Sequence, residues 1–166
     1  AAFEARCLEE PPTLAFARRE VGVVCPQAIG AMHVFGEGSG KALGEALKAT
    51  SSLKTLDLYY CSLGPDDGKG LAAGISANAS LTSLSLNYNA LGAEGAKALA
   101  PGIAGSASLS SLLLGGNHLG PEGAKALAPA LAANASLTAA NLLRNKFDVD
   151  AASMLLKAKQ ENPKLT

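Results

Sequence analysis

Apolar positions along the chain repeat at a fixed interval. Leu53, Leu81, Leu109, Leu137 and Leu165 stand 28 residues apart, and Leu58, Leu86, Leu114 and Leu142 keep the same spacing. Within each unit the first half reads L-x-x-L-x-L, the period-2 alternation of a short strand with one buried face. The second half, G-A-K-A-L-A-x-x-[IL], changes to helical spacing: Leu71 with Ile75, Leu99 with Ile103 and Leu127 with Leu131 are i, i+4 pairs on one helix face. Strand, turn and helix therefore alternate, and a unit this small cannot bury its own apolar face. Stacking of successive units has to complete the core.

The clear units span 52–79, 80–107, 108–135 and 136–166, the last as a capping repeat. Counting back by 28 from Lys97 gives Lys69 and Lys41, so 24–51 reads as a degenerate repeat. Its helix half keeps Leu43 and Leu47, whereas its strand half, "CPQAIGAM", has lost most leucines and His33 stands at a turn position. Residues 1–23 fit no repeat and read as an N-terminal cap over the first open core face. At the other end Lys159 replaces the apolar residue held by Ile75, Ile103 and Leu131, and Asp148 replaces a turn glycine. These changes predict a polar outer face on the last helix, although Leu165 begins another strand.

The runs L-x-x-L-x-L-x-x-[NC]-x-L at Leu53 to Leu63, Leu81 to Leu91 and Leu109 to Leu119 resemble the leucine-rich repeat family, in its ribonuclease-inhibitor-like class of long, helix-containing units. The run from Leu137 to Phe147 departs at Ala140 and Phe147. The resemblance implies an α/β leucine-rich-repeat solenoid, a short horseshoe with a parallel sheet on the concave side and helices on the convex side. It also implies protein binding more often than catalysis.

Asn89, Asn117 and Asn145 fall where a side-chain amide can serve backbone groups that a strand leaves unpaired in the turns. Cys61 holds that place in the first clear unit and reads as a buried ladder residue. Gly64, Gly92 and Gly120 follow the turn, and Pro65 and Pro121 fit a first helical turn. Pro101 and Pro129 lie deep in the predicted helices, which predicts a kink or a divided helix.

Composition narrows the function. The 166 residues are 48% hydrophobic and 17% charged, which fits one folded unit. Formal net charge is +0 and no basic stretch exceeds Arg18-Arg19, so a nucleic-acid partner is not expected. No apolar run reaches the roughly 18 residues of a membrane span. Three widely spaced cysteines, Cys7, Cys25 and Cys61, support neither a disulfide framework nor a zinc site and favour an intracellular setting. The chain starts with alanine, so removal of a targeting peptide before organellar import is a further possibility.

Catalytic chemistry is sparse. His33 and His118 are the only histidines, and His118 lies in a repeat turn away from any Ser or Cys nucleophile. No enzyme activity, cofactor, metal or small-molecule substrate is expected. "GEGSGKAL" at 36–43 looks like a phosphate loop, yet Phe35 stands where a Walker motif needs glycine and Ala42 replaces its hydroxyl residue. A nucleotide or regulatory site at Gly36 to Lys41 stays as an alternative, as does ribonuclease-inhibitor-like activity. Asp66, Glu94, Glu122 and Asp150 form one column at period 28 and Lys41, Lys69, Lys97 and Lys125 another; Lys69, Lys97 and Lys125 each follow an acid by three residues, which predicts solvated ion pairs on the convex side. Asn78-Ala79-Ser80 and Asn134-Ala135-Ser136 match the glycosylation pattern, but both recur at one repeat junction.

The concave face carries the binding expectation, because its strand positions need not be apolar for folding. Tyr59, Tyr60 and Tyr88 are all the tyrosines in the chain, and Met32, Gly116 and Arg144 continue the row of Tyr60 and Tyr88. With strands about 4.8 Å apart, Met32, Tyr60 and Tyr88 would form a stripe about 10 Å long. Tyrosine is favoured in interface centres because a rigid ring and a hydroxyl combine buried area with orientation. The expected surface comprises Met32, Asp57, Tyr59, Tyr60, Asn87, Tyr88, Leu113, Asn141 and Arg144, and the expected partner is another protein, with the chain as a recognition domain or a scaffold subunit of a larger assembly.

Overall fold

The structure, a computed structural model, describes residues 23–24 and 38–166. Strand and helix alternate as the periodicity predicts: β1 (Val23–Val24), α1 (Ser39–Ala49), β2 (Thr55–Asp57), α2 (Pro65–Ala77), β3 (Ser83–Ser85), α3 (Gly92–Gly105), β4 (Ser111–Leu113), α4 (Gly120–Ala133), β5 (Ala139–Asn141) and α5 (Val149–Glu161). The strands form one parallel sheet in chain order. From β2 onward the register is the repeat itself: Leu56 faces Leu84, Leu84 faces Leu112, and Leu112 faces Ala140. β1 differs, because Val23 pairs with Leu56, five residues ahead of the place that strict spacing assigns. "CPQAIGAM", His33 and Met32 lie outside the described residues.

The core fills the space between sheet and helices. Leu58, Leu63, Leu71, Leu84, Leu86, Leu91, Leu99, Leu112, Leu114, Leu119 and Leu127 are wholly buried. Each such leucine contributes about 1.5–3 kcal/mol of transfer free energy relative to an exposed one. That gain is available only once a neighbouring unit covers it.

Cys61 is buried, as expected of a ladder residue. Asn89 Oδ1 accepts the N–H groups of Cys61 (2.9 Å) and Leu63 (3.0 Å), while its Nδ2 donates to the carbonyls of Leu58 and Leu86 (2.9 Å each). Asn145 Oδ1 does the same for Asn117 (2.8 Å) and Leu119 (3.4 Å). A second ladder runs along the helix C-termini. Asn78 Nδ2 donates to Leu47 O and Thr50 O, Asn134 Nδ2 to Ile103 O and Ser106 O, and Asn162 Nδ2 to Leu131 O and Asn134 O. Helix carbonyls that would otherwise lack partners are thus satisfied from the next unit. The glycosylation pattern at Asn78 and Asn134 falls on this ladder: both amides are buried and bonded.

The glycine loop also has a structural account. Asp67, buried in the first turn of α2, accepts the N–H groups of Gly38 (3.0 Å) and Gly40 (2.8 Å) on Oδ1 and that of Gly64 (2.8 Å) on Oδ2. An internal carboxylate therefore already occupies the amides that a phosphate would need. Behind it, α1 and α2 pack glycine against glycine: a methyl group at Gly40 would overlap the Asp67 backbone, and one at Gly44 would overlap Gly70.

Two expectations need correction. Pro101 and Pro129 divide neither α3 nor α4. Both rings are on the exposed side, where water can take the carbonyl that proline leaves without a donor. Nor is the outer face of α5 wholly polar, since Val149 (81% exposed), Met154 (43%) and Leu156 (61%) lie open among Asp150, Lys157 and Lys159. Two of the expected convex ion pairs form, Lys69–Asp66 at 3.3 Å and Lys97–Glu94 at 2.8 Å. Their hydrogen bond holds Glu94 below the usual carboxylate range and raises Lys97. Both groups are open to solvent, so they add little to stability.

Gly44→Ala tests the close packing of α1 on α2. Helix propensity alone predicts a gain of about 1 kcal/mol. The overlap with Gly70 predicts instead a net loss of about 1–3 kcal/mol in urea denaturation.

Candidate functional site

Beyond each of β2 to β5 the chain turns through the left-handed region at one equivalent position. Tyr60 (φ 55°), Tyr88 (54°), Gly116 (70°) and Arg144 (59°) form that row, one residue per unit. The row just inside it holds Tyr59, Asn87, Gly115 and Leu143. Cross-strand bonds fix both rows: Tyr60 N–H donates to Asn87 O (3.0 Å), Tyr88 N–H to Gly115 O (2.8 Å) and Gly116 N–H to Leu143 O (2.9 Å).

The three tyrosines meet in a zigzag rather than a single row. Tyr59 stands between the others, its ring 6.2 Å from Tyr60 and 5.3 Å from Tyr88, the latter edge-on. That edge-on arrangement sets the positive ring edge against the negative face. Arg144 reaches back across two units to donate from Nη1 to the Tyr88 hydroxyl (2.9 Å), with its guanidinium carbon 6.0 Å from the ring centroid. Gly116 makes that reach possible, because a Cβ there would lie 2.9 Å from Tyr88 Cδ1. Tyr59, Tyr60 and Tyr88 keep 36%, 53% and 37% of their surface exposed.

The remaining expected residues divide by role. Asp57 Oδ1 accepts the Tyr59 N–H (3.0 Å), Asn87 Oδ1 the Gly115 N–H (2.7 Å) and Asn141 Oδ1 the Leu143 N–H (3.0 Å). These oxygens shape the turns, so their side chains are positioning groups for the sheet surface. Leu113 is half-buried at the end of β4, and Met32 lies outside the described residues. Leu143, 72% exposed beside Arg144, was missed from the sequence, although the register that aligns it with Tyr59 was there to read.

Among the described residues no group of three or more His, Cys, Asp or Glu side chains could hold a metal ion. Likewise, no helix among them is long and apolar enough to cross a membrane.

A family model described as leucine rich repeat matches residues 77–100 and 105–128. These two stretches are leucine-rich repeats. No curated protein sequence matches the chain. Among solved structures, this leucine-rich-repeat chain is similar to leiomodin-1 actin-binding site 2, with a TM-score of 0.73 and 16% identity over 92% of this chain and 86% of that one. It is also similar to a tropomodulin C-terminal domain from Caenorhabditis elegans, with a TM-score of 0.69 and 16% identity over 96% of this chain and 93% of that one. At such identity the likeness establishes the fold, a leucine-rich-repeat solenoid, and nothing finer.

The cluster contains every tyrosine of a chain that has no tryptophan, so its near-ultraviolet circular dichroism reports this site alone among strong chromophores. Gly116→Ala is expected to alter that signal by pushing the Tyr88 ring off Arg144, while the far-ultraviolet spectrum stays unchanged. An unaltered near-ultraviolet spectrum would show that the rings do not depend on the gap at Gly116.

Proposed function

We propose that this leucine-rich-repeat protein is a non-enzymatic binding module that holds a partner protein on its concave face, as a recognition domain or a scaffold subunit. The observation that carries the reading is the contiguous, exposed cluster of Tyr59, Tyr60 and Tyr88 with Arg144 across one end of a rigid sheet. Three aromatic rings left half-open at one place are not needed to close the core, which the leucines fill. They offer large rigid area at low entropic cost, the composition that interface centres favour.

One of the similar structures is an actin-binding site of leiomodin-1, which makes actin one defined protein to assay. The reading itself does not require that partner.

The test is to isolate a partner from native extract with the full chain and then titrate it against Tyr60→Ala/Tyr88→Ala. Loss of two interface tyrosines is expected to weaken binding by roughly 30-fold or more, at about 2 kcal/mol for a central aromatic. Because the rings lie outside the leucine core, the melting temperature should move little. Unchanged affinity with the fold intact would move the binding site to another surface.

A further inference from the structure

The tyrosine cluster has an electrostatic direction along the sheet. At its β5 end stand Arg144 and Lys146, both exposed and both held outward by left-handed turns (φ 59° and 57°). His118 occupies the place equivalent to Lys146 one unit earlier and is also exposed. Neither Arg144 nor Lys146 has a carboxylate partner among the described residues, whereas Lys48, Lys69, Lys97 and Lys157 on the helices do. At the other end stands the acidic Asp57, whose Oδ1 is engaged with the backbone of Tyr59. Three strand spacings, about 14 Å, separate the two ends.

In a chain whose formal charge sums to +0, this is a local separation of charge on one face. The amide oxygens along the face accept backbone hydrogens of their own chain, as described for Asn87 and Asn141. Arg144 spends one N–H on Tyr88, and a guanidinium carries five. The face thus presents unspent cationic donors at one end and ring surface, with exposed Leu143, beside them.

Resting on the concave-face reading above, we propose that the partner element is an extended acidic and apolar segment. It lies across the strands with a carboxylate on Arg144 and Lys146 and an apolar side chain against Tyr59, Tyr60 and Tyr88. A strand-like peptide advances about 3.3 Å per residue. The span of two to three strands between Arg144 and the far tyrosines therefore sets the acid three or four residues from the apolar group. The Arg144–Tyr88 bond holds the guanidinium in place before the partner arrives, which lowers the ordering cost of binding. A polyphosphate chain fits less well, since tracking its backbone takes a longer basic groove than two adjacent cations.

A display library of random peptides selected on the full chain tests this. The expected result is enrichment of Asp or Glu three or four positions from Leu, Phe or Tyr. Binding of the best synthetic peptide should weaken roughly three- to tenfold in Arg144→Gln/Lys146→Gln, as exposed charge pairs do. Arg144→Glu/Lys146→Glu should select Lys or Arg at the same place. Absence of acidic enrichment, the same acidic preference in the charge-reversed variant, or displacement of the peptide by single-stranded polyuridine RNA would overturn the proposal. If Tyr60→Ala/Tyr88→Ala abolishes binding while charge reversal changes nothing, the acidic partner is wrong and the tyrosine face stands. If the charge preference follows residues 144 and 146 but the tyrosine variant binds as before, the carboxylate assignment stands and the tyrosine face fails.

Discussion

Parallel strands only three residues long must give way at once to tight turns, and the turn backbone then lies inside the molecule with no strand to pair it. The structure depends on the answer to that constraint: a buried asparagine whose carboxamide serves the turn of the preceding unit. Asn89 binds Cys61 and Leu63 with its oxygen and the Leu58 carbonyl with its nitrogen, so one side chain closes the turn behind it. Leaving two buried N–H groups unmet would cost about 1–3 kcal/mol each, more than one unit of 28 residues can spare. The ladder therefore fixes the 28-residue register as firmly as the leucine core does, and it does so with directional bonds.

That register in turn positions the surface. Because each unit leaves its turn through the same left-handed residue, Tyr60, Tyr88, Gly116 and Arg144 are delivered to adjacent places without a loop to order. Gly116 takes no space, so Tyr88 and Arg144 can meet across it. The helix side obeys the same logic with different residues. The asparagines at 78, 134 and 162 tie the ends of α2, α4 and α5 to the helix before, while glycines at 40, 44, 70 and 74 let α1 and α2 approach closely.

Much of this was legible in the sequence because a period repeated over several units averages out local ambiguity. Strand, helix, leucine core and the turn asparagines could all be read from position modulo 28. What escaped depended on contacts between units rather than on composition within one. Asp67 as the internal anion for Gly38 and Gly40 could not be seen, since no later unit repeats it. Pro101 and Pro129 read as breaks because helix rules are local, whereas here packing of α3 and α4 holds the helix and solvent takes the loss. At the surface the tyrosines were visible, but their linkage to Arg144 through the gap at Gly116 required three dimensions.

The ladder contains its own control. Asn117 donates to Leu86 O and Leu114 O as its equivalents do, yet its buried Oδ1 has no partner among the described residues, while Asn89 Oδ1 accepts two N–H groups. Urea denaturation of Asn89→Ala beside Asn117→Ala is the most direct measurement of whether cross-unit turn bonds hold the array. The account predicts a loss of about 2–4 kcal/mol for Asn89→Ala and a loss at least about 1 kcal/mol smaller for Asn117→Ala. Equal losses, or a nearly neutral Asn89→Ala, would contradict it and assign the register to the leucine core alone.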